Sequence, residues 1–188
     1  MITAHAYDIH VDQLFERLKR FHEALDSAGV PYRVIGGLAI FLHVSERDPT
    51  KARLTNDVDV AVARATMERI VSAAERAGFR YRHVVAIDML VDAEHPRAKS
   101  AVHLVFCGEK VRPEYLEPVP EFSEPVRTSE GILLAPVSDL VHMKLTSFRL
   151  KDRVHIQDLD SVGLITKEIE ASLSEPLRAR LAEVRASE

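Results

Sequence analysis

Tyr32-Arg33-Val34-Ile35-Gly36-Gly37-Leu38-Ala39, followed after a polar interval by Arg53-Leu54-Thr55-Asn56-Asp57-Val58-Asp59-Val60-Ala61-Val62, is the stretch that decides the fold. Its first part reads as a short strand, Tyr32–Ile35, that runs straight into two glycines and then into a compact apolar helix, Leu38–Val44. A strand that ends in paired glycines and opens a helix leaves backbone N–H groups uncovered, which makes a ready anion site, most often for phosphate. The same glycines also satisfy a purely steric need for a tight strand-to-helix connection. Ser45–Asn56 is polar, contains Pro49 and reads as a loop. Asp57–Val62 then alternates strictly. Asp57 and Asp59 therefore project from one face of a strand, and Val58, Val60 and Val62 pack on the other.

Two carboxylates at that spacing repel each other unless a cation sits between them. Hard oxygen ligands of this kind suit Mg²⁺ or Mn²⁺, with substrate phosphates completing the shell. An isolated Asp-x-Asp is common, and a solvent-facing strand edge also accounts for it. The order strand, Gly-Gly, helix, loop, strand with Asp-x-Asp is much more specific than either part alone.

On the N-terminal side, Val11, Leu14, Phe15, Leu18, Phe21, His22 and Leu25 recur at helical spacing and predict a helix over 10–28, stopped by Gly29 and Pro31. On the C-terminal side, Met67, Ile70, Val71 and Ala74 mark a helix ended by Gly78. Phe79–Leu90 predicts two strands and Ala101–Phe106 another. Pro113, Pro118, Pro120 and Pro125 make an extended connector. Ile132–Leu134 is a short strand. Pro136 opens a helix carrying Val137, Leu140, Val141, Leu145 and Phe148. A second helix covers roughly 152–162 and closes at Gly163, and a last one starts at Ser174. The layout is α+β within a single domain: an N-terminal helix over 1–30, a mixed sheet over 31–135 and C-terminal helices over 136–188.

Composition narrows the function. Of the 188 residues, 46% are hydrophobic, which indicates a globular chain. The net charge of −4 provides no global attraction for nucleic acid, although the 25 Lys and Arg leave room for a local basic patch. The lone Cys107 excludes a disulfide framework and a multi-cysteine zinc site, and its neighbours Val105 and Phe106 predict a buried thiol at a strand end. The N-terminal residues lack a basic segment followed by an apolar run, and no stretch approaches the ~20 apolar residues of a membrane span. No membrane association and a cytoplasmic location are expected. The nine scattered histidines read as surface or packing residues.

The two motifs together resemble the nucleotidyltransferase superfamily typified by DNA polymerase beta. The form Arg53-x-Thr55-x-Asp57-x-Asp59 is closest to small bacterial members grouped with abortive-infection toxins. Leu140-Val141-His142-Met143-Lys144-Leu145, Arg149-Leu150-Lys151-Asp152 and His155-Ile156-Gln157-Asp158-Leu159 look like the helical segment those proteins place after the sheet. The resemblance implies a nucleotidyltransferase-like mixed sheet flanked by helices, with a helical C-terminal third. It implies transfer of a nucleoside monophosphate from an NTP to an acceptor, which is RNA, a protein or a small molecule. Gly36 and Gly37 would hold the triphosphate. Asp57 and Asp59 would ligate Mg²⁺ or Mn²⁺ and align an in-line attack on the α-phosphorus. Arg53, Thr55, Lys144, Lys151 and Asp152 would lie around the nucleotide, with ordinary solvated cations as the competing account of Arg53 and Lys144.

One position departs from the family pattern. Active members carry a third carboxylate on a later strand, and the matching strand here, Ala101–Phe106, presents His103 instead. Imidazole is a poor ligand for Mg²⁺ but an acceptable one for Mn²⁺ or Zn²⁺, and its pKa near neutrality suits a general base. An inert, hydrogen-bonded histidine at the sheet rim is the alternative, and Asp88 on a neighbouring strand is a candidate substitute. His103 also motivates a second function: an inactive nucleotidyltransferase-fold module that binds nucleotide or acts as a toxin–antitoxin-like partner protein. Asp152, His155 and Asp158 lie one helical turn apart and serve either the site or a solvated helix start. Glu109–Tyr115 is a charged, extended stretch, either substrate-facing or a surface connector.

Overall fold

Val58, Val60 and Val62 are completely buried, and they fix the centre of the molecule. They lie on β2 (Val58–Val62), which pairs antiparallel with β1 (Tyr32–Ile35) and parallel with β5 (Val102–Phe106). The computed structural model describes residues 4–94, 96 and 101–187. Among these, β3 (Phe79–Val84), β4 (Ile87–Asp92), β6 (Val126–Arg127) and β7 (Leu133–Leu134) complete one mixed sheet in the order β3-β4-β5-β2-β1-β7-β6. The helices are α1 (Ala4–Ser27), α2 (Gly36–Arg47), α3 (Met67–Arg76), α4 (Val137–Ser147), α5 (Leu150–Ser161), α6 (Lys167–Ser172) and α7 (Glu175–Ala186). Leu14, Leu18, Phe21 and Leu25 of α1, Ile70 and Ala74 of α3, and Leu140, Leu145, Ile156, Leu159, Leu177 and Leu181 of the C-terminal helices join the β2 valines in one core cluster. Burying each such side chain stabilises the fold by roughly 1.5–3 kcal/mol before entropy is counted. No helix of the described residues is long and apolar enough to cross a membrane.

The predicted elements are present, with shifted boundaries. The first helix extends back to Ala4, and the second begins at Gly36 itself and runs to Arg47. Asp57 lies just before β2 and not within it. Phe148, assigned from the sequence to the stripe of the fourth helix, caps it instead in the left-handed region at φ 50°, with its N–H donating to the Lys144 carbonyl. Two elements were not anticipated. β6 is two exposed residues held by pairing with β7, and α6 is polar with no buried residue, so neither has an apolar pattern to reveal it.

The β3–β4 hairpin turns at Val85 and Ala86, which both adopt positive φ, 47° and 62°. Such a turn is the type I′ arrangement that favours Asn-Gly, and a left-handed L-residue costs roughly 1–2 kcal/mol. Val85 is 89% exposed, so its side chain recovers almost nothing by packing. The replacement Val85→Asn/Ala86→Gly is therefore expected to stabilise the protein by roughly 1–3 kcal/mol, read as a rise in the midpoint of thermal or denaturant unfolding.

Candidate active site

Strand β1 passes into α2 with no intervening residue, and the backbone reverses at Gly36 with φ +70°. A Cβ at Gly36 would collide with Oδ2 of Asp59, so glycine is needed there for both backbone and space. A Cβ at Gly37 would stand 3.2 Å from Cβ of Thr55 and 3.4 Å from Cε1 of His155. The paired glycines thus let a carboxylate, a hydroxyl-bearing residue and an imidazole crowd against the start of one helix. Thr55 serves the next motif as well, because its Oγ1 accepts from the N–H of Asp57 at 3.3 Å and shapes the approach to β2.

The register sets Asp59 beside Ile35 on one side and beside His103 on the other. Nδ1 of His103 lies 3.2 Å from Oδ1 of Asp59. An ionised carboxylate only accepts, so Nδ1 carries the proton and Nε2 holds the free lone pair of the neutral ring. The hydrogen bond to Asp59 raises the His103 imidazole above its ordinary value against the effect of burial. The charges of Asp59 and Asp57 act in the same sense, and Lys151 opposes them. The side chains of His103 and Asp59 remain 26% and 30% exposed, so both are open to a ligand.

Behind this pair lies a buried ionic cluster. Asp152 is 0% exposed and accepts hydrogen bonds from Lys144 Nζ (3.0 Å), Ser147 Oγ (2.8 Å), the Arg149 N–H (3.2 Å) and both Nε (2.7 Å) and an Nη (3.2 Å) of Arg149. Burial alone would raise its carboxyl. The hydrogen bonds from Arg149 and the charge of Lys144 instead hold it far below the usual carboxylate range. Burial pulls the Lys144 ammonium down, and Asp152 and then Asp59 oppose that pull. Asp152 therefore caps α5 from inside the protein, and not as the solvated first turn that the sequence alone allows. One turn on, His155 is pushed down to about 4 by burial and by Lys144, and its Nδ1 is buried without a hydrogen-bond partner among the described residues.

Gly36, Gly37, Thr55, Asp57, Asp59 and His103 thus gather at one place, with Lys144 and Asp152 behind them. Lys151 is exposed at the start of α5, near enough to act on His103. Arg53 is turned toward α5: it is 68% exposed and its Nε donates to Oδ1 of Asp158 at 2.9 Å. Asp88 belongs to the opposite face of the sheet, because it pairs with Leu104 while Met89 pairs with His103. It accepts there from the Tyr81 hydroxyl at 2.5 Å and His83 Nδ1 at 3.0 Å, and does not join Asp57 and Asp59 as a substitute carboxylate would. Cys107 is half-buried away from this cluster, its thiol pushed up to about 11 by burial. Glu109 is held by Arg64. The sequence alone assigns Ser147 no role and Arg149 only a place in the Arg149-Leu150-Lys151-Asp152 segment. The signal for Arg149 was its spacing of three residues from Asp152, that of a helix N-cap and its N3 partner.

Among the described residues, no group of three or more His, Cys, Asp or Glu side chains forms a ready metal cage. A divalent ion at Asp57 and Asp59 would take its remaining ligands from substrate phosphates and water. One or two carboxylates plus phosphates is the usual protein site for Mg²⁺, and this donor set fits it.

No family model and no curated protein matches the sequence. Solved structures do match. An antigenic nucleotidyltransferase-like protein from Paracoccidioides brasiliensis is similar at 19% identity and a TM-score of 0.61, over 94% of this chain and 88% of that one. The antibiotic-resistance factor ANT(2'')-Ia in solution is similar at 15% identity and a TM-score of 0.53, over 89% and 90%. Its crystal structure in complex with adenylyl-2''-tobramycin is similar at 13% identity and a TM-score of 0.52, over 89% and 94%. At these identities the likeness is one of fold, and the fold of this chain is that of the nucleotidyltransferases.

Two measurements test the buried cluster. Asp152→Ala leaves the Lys144 ammonium buried without its carboxylate and is expected to cost roughly 3–5 kcal/mol in denaturant unfolding. His155 binds protons less readily folded than unfolded, so its contribution is fully present above its ordinary value of 6.5 and is lost as pH falls toward about 4. The melting temperature of the wild type is expected to fall more steeply over that window than that of His155→Gln.

Proposed function

We propose that this chain is a divalent-cation-dependent nucleotidyltransferase that moves a nucleoside monophosphate from an NTP to a hydroxyl-bearing acceptor. The observation that supports it best is the placement of Asp59, whose carboxylate lies between the Gly36 turn and His103. In this reading the N–H groups at Gly36 and Gly37 bind the triphosphate, aided by Thr55 and the exposed Lys151. Lys144 adds a fixed positive charge behind the phosphates, and Asp152 positions Lys144 and Arg149 without touching the substrate. Arg53 braces the loop before Asp57 through Asp158. Bound at Asp57 and Asp59, Mg²⁺ or Mn²⁺ supplies charge neutralisation and alignment of the phosphates. The acceptor oxygen attacks the α-phosphorus, the bond to pyrophosphate breaks, and the acceptor proton passes to Nε2 of His103. Nδ1–H against Asp59 then stabilises the imidazolium, as the carboxylate does in other acid–histidine pairs.

A second reading rests on His103 itself. With an imidazole where active relatives of this fold are expected to carry a carboxylate, the chain binds nucleotide without turnover and works as a toxin–antitoxin-like partner in a bacterial cytoplasm.

The test is thermal stability with each of the four NTPs and either Mg²⁺ or Mn²⁺, on the wild type and on Asp57→Asn/Asp59→Asn. A metal-dependent stabilisation by an NTP is expected, about 2.7 kcal/mol at a hundred times Kd, and the double variant should lose it. Transfer of labelled monophosphate to an acceptor separates the enzyme from the inactive module. Wild-type protein that responds to no NTP would sink both readings.

A further inference from the structure

Five strands align one cross-strand row that begins at the glycine turn. Ile35 of β1 stands beside Asp59 of β2, Asp59 beside His103 of β5, His103 beside Met89 of β4, and Met89 beside Arg82 of β3. Residues directly opposed in neighbouring strands share a face, so Asp59, His103, Met89 and Arg82 all project from the same side of the sheet. Arg80, two residues before Arg82 on β3, shares that side. Strands lie about 4.8 Å apart, which places the Arg82 backbone roughly 10 Å from that of His103, so a ligand of nucleotide size can touch both side chains.

Both arginines are exposed, and among the described residues neither has a hydrogen-bond or ion-pair partner. Other arginines in the fold are committed: Arg64 to Glu109, Arg149 to Asp152 and Arg185 to Asp160 and Glu170. Met89, the residue between Arg82 and His103, is buried and apolar and offers no competing charge. Guarding the open edge of β3 against a foreign strand would require charge but not alignment with Asp59 and His103.

The direction of the chemistry gives this alignment a use. An in-line displacement puts the attacking oxygen and the departing pyrophosphate on opposite sides of the phosphorus. With the triphosphate held over Gly36 and Gly37, an attack from the His103 side would extend the acceptor past buried Met89 toward the exposed arginines of β3. We infer that Arg80 and Arg82 bind a phosphate group of the acceptor, so that this chain selects a phosphate-bearing acceptor whose hydroxyl is presented to His103. The inference rests on the transferase reading above. The phosphate belongs either to the end of a polynucleotide or to a free nucleotide, and the guanidinium fork suits both. The acceptor oxygen–phosphorus bond forms, the phosphorus–oxygen bond to pyrophosphate breaks, the proton goes to His103, and pyrophosphate leaves.

The test compares the full chain with Arg80→Glu/Arg82→Glu and with the charge-neutral Arg80→Gln/Arg82→Gln. It uses labelled NTP and three acceptors: a short oligoribonucleotide, a nucleoside 5′-monophosphate and the unphosphorylated nucleoside. The metal-dependent thermal shift with NTP is expected to be unchanged in both variants. KM for the phosphorylated acceptors should rise roughly tenfold for each arginine replaced, with kcat little changed, and the bare nucleoside should be poor throughout. Use of the oligoribonucleotide alone assigns the phosphate to a polynucleotide, and use of both phosphorylated acceptors assigns it to nucleotides generally. Equal KM in variants and wild type, preference for the bare nucleoside, or loss of the NTP shift in the variants would each overturn the inference. Where no transfer occurs, anisotropy of a labelled oligoribonucleotide decides, and equal affinity in wild type and variants overturns it. Absence of the NTP shift in the wild type would instead remove the transferase reading.

Discussion

The space that a Cβ at Gly36 would need is taken by the Asp59 carboxylate, and the rest of the site follows from that exclusion. For Asp59 to stand there, β2 must pair antiparallel with β1 in the register Ile35 to Asp59, with α2 starting at once. A slip of one residue would turn Asp59 into the core and bring Val58 or Val60 onto the open face. The valines prevent it, because each is completely buried and the loss on exposing them far exceeds any gain at the surface. The apolar face of β2 thus specifies where its polar face presents the carboxylates. The parallel pairing with β5 then delivers His103 to the same carboxylate.

The buried Asp152 cluster ties the helical third of the chain to that sheet. Ion pairs of this kind are seldom more stable than apolar packing of the same volume, because desolvating the charges consumes most of their attraction. Their value lies in geometry. Asp152 joins the end of α4, through Lys144 and Ser147, to the N-cap of α5, through Arg149. It thereby fixes where the first turn of α5 brings Lys151 and where His155 meets Gly37. Burial pulls the Lys144 ammonium down behind Asp59, and Asp152 is the main group opposing that pull.

The sequence was most legible where a local pattern and a global demand coincided. The strand Tyr32–Ile35, the Gly-Gly turn and the alternation through Val62 were all readable, because each position has one chemical reason for its residue. The pairing of His103 with Asp59 lies 44 residues apart along the chain and depends on a parallel register that no local pattern encodes. The face occupied by Asp88 was unreadable for the same reason, since its side depends on the pairing of β4 with β5. The burial of Asp152 was hidden by its own chemistry: an acidic residue in a first turn ordinarily reads as a solvated partner of the helix dipole. The row from Asp59 to Arg82 joins four strands and exists only in the assembled sheet.

Under the proposed transferase reading, the histidine at position 103 does more than fill a carboxylate's place. Its Nδ1 is committed to Asp59, which leaves Nε2 as the one nitrogen able either to bind a cation or to take a proton. It cannot do both in the same step. In that reading a hard cation would have Asp57, Asp59 and substrate phosphates as oxygen ligands and would gain little from imidazole. The acceptor hydroxyl, by contrast, would need a base on the side away from the departing pyrophosphate, and the free lone pair of Nε2 can serve as one. The proposed division of labour would give the carboxylates to the phosphates and the imidazole to the acceptor. In that division, the residues beyond His103 along the row select what the acceptor can be.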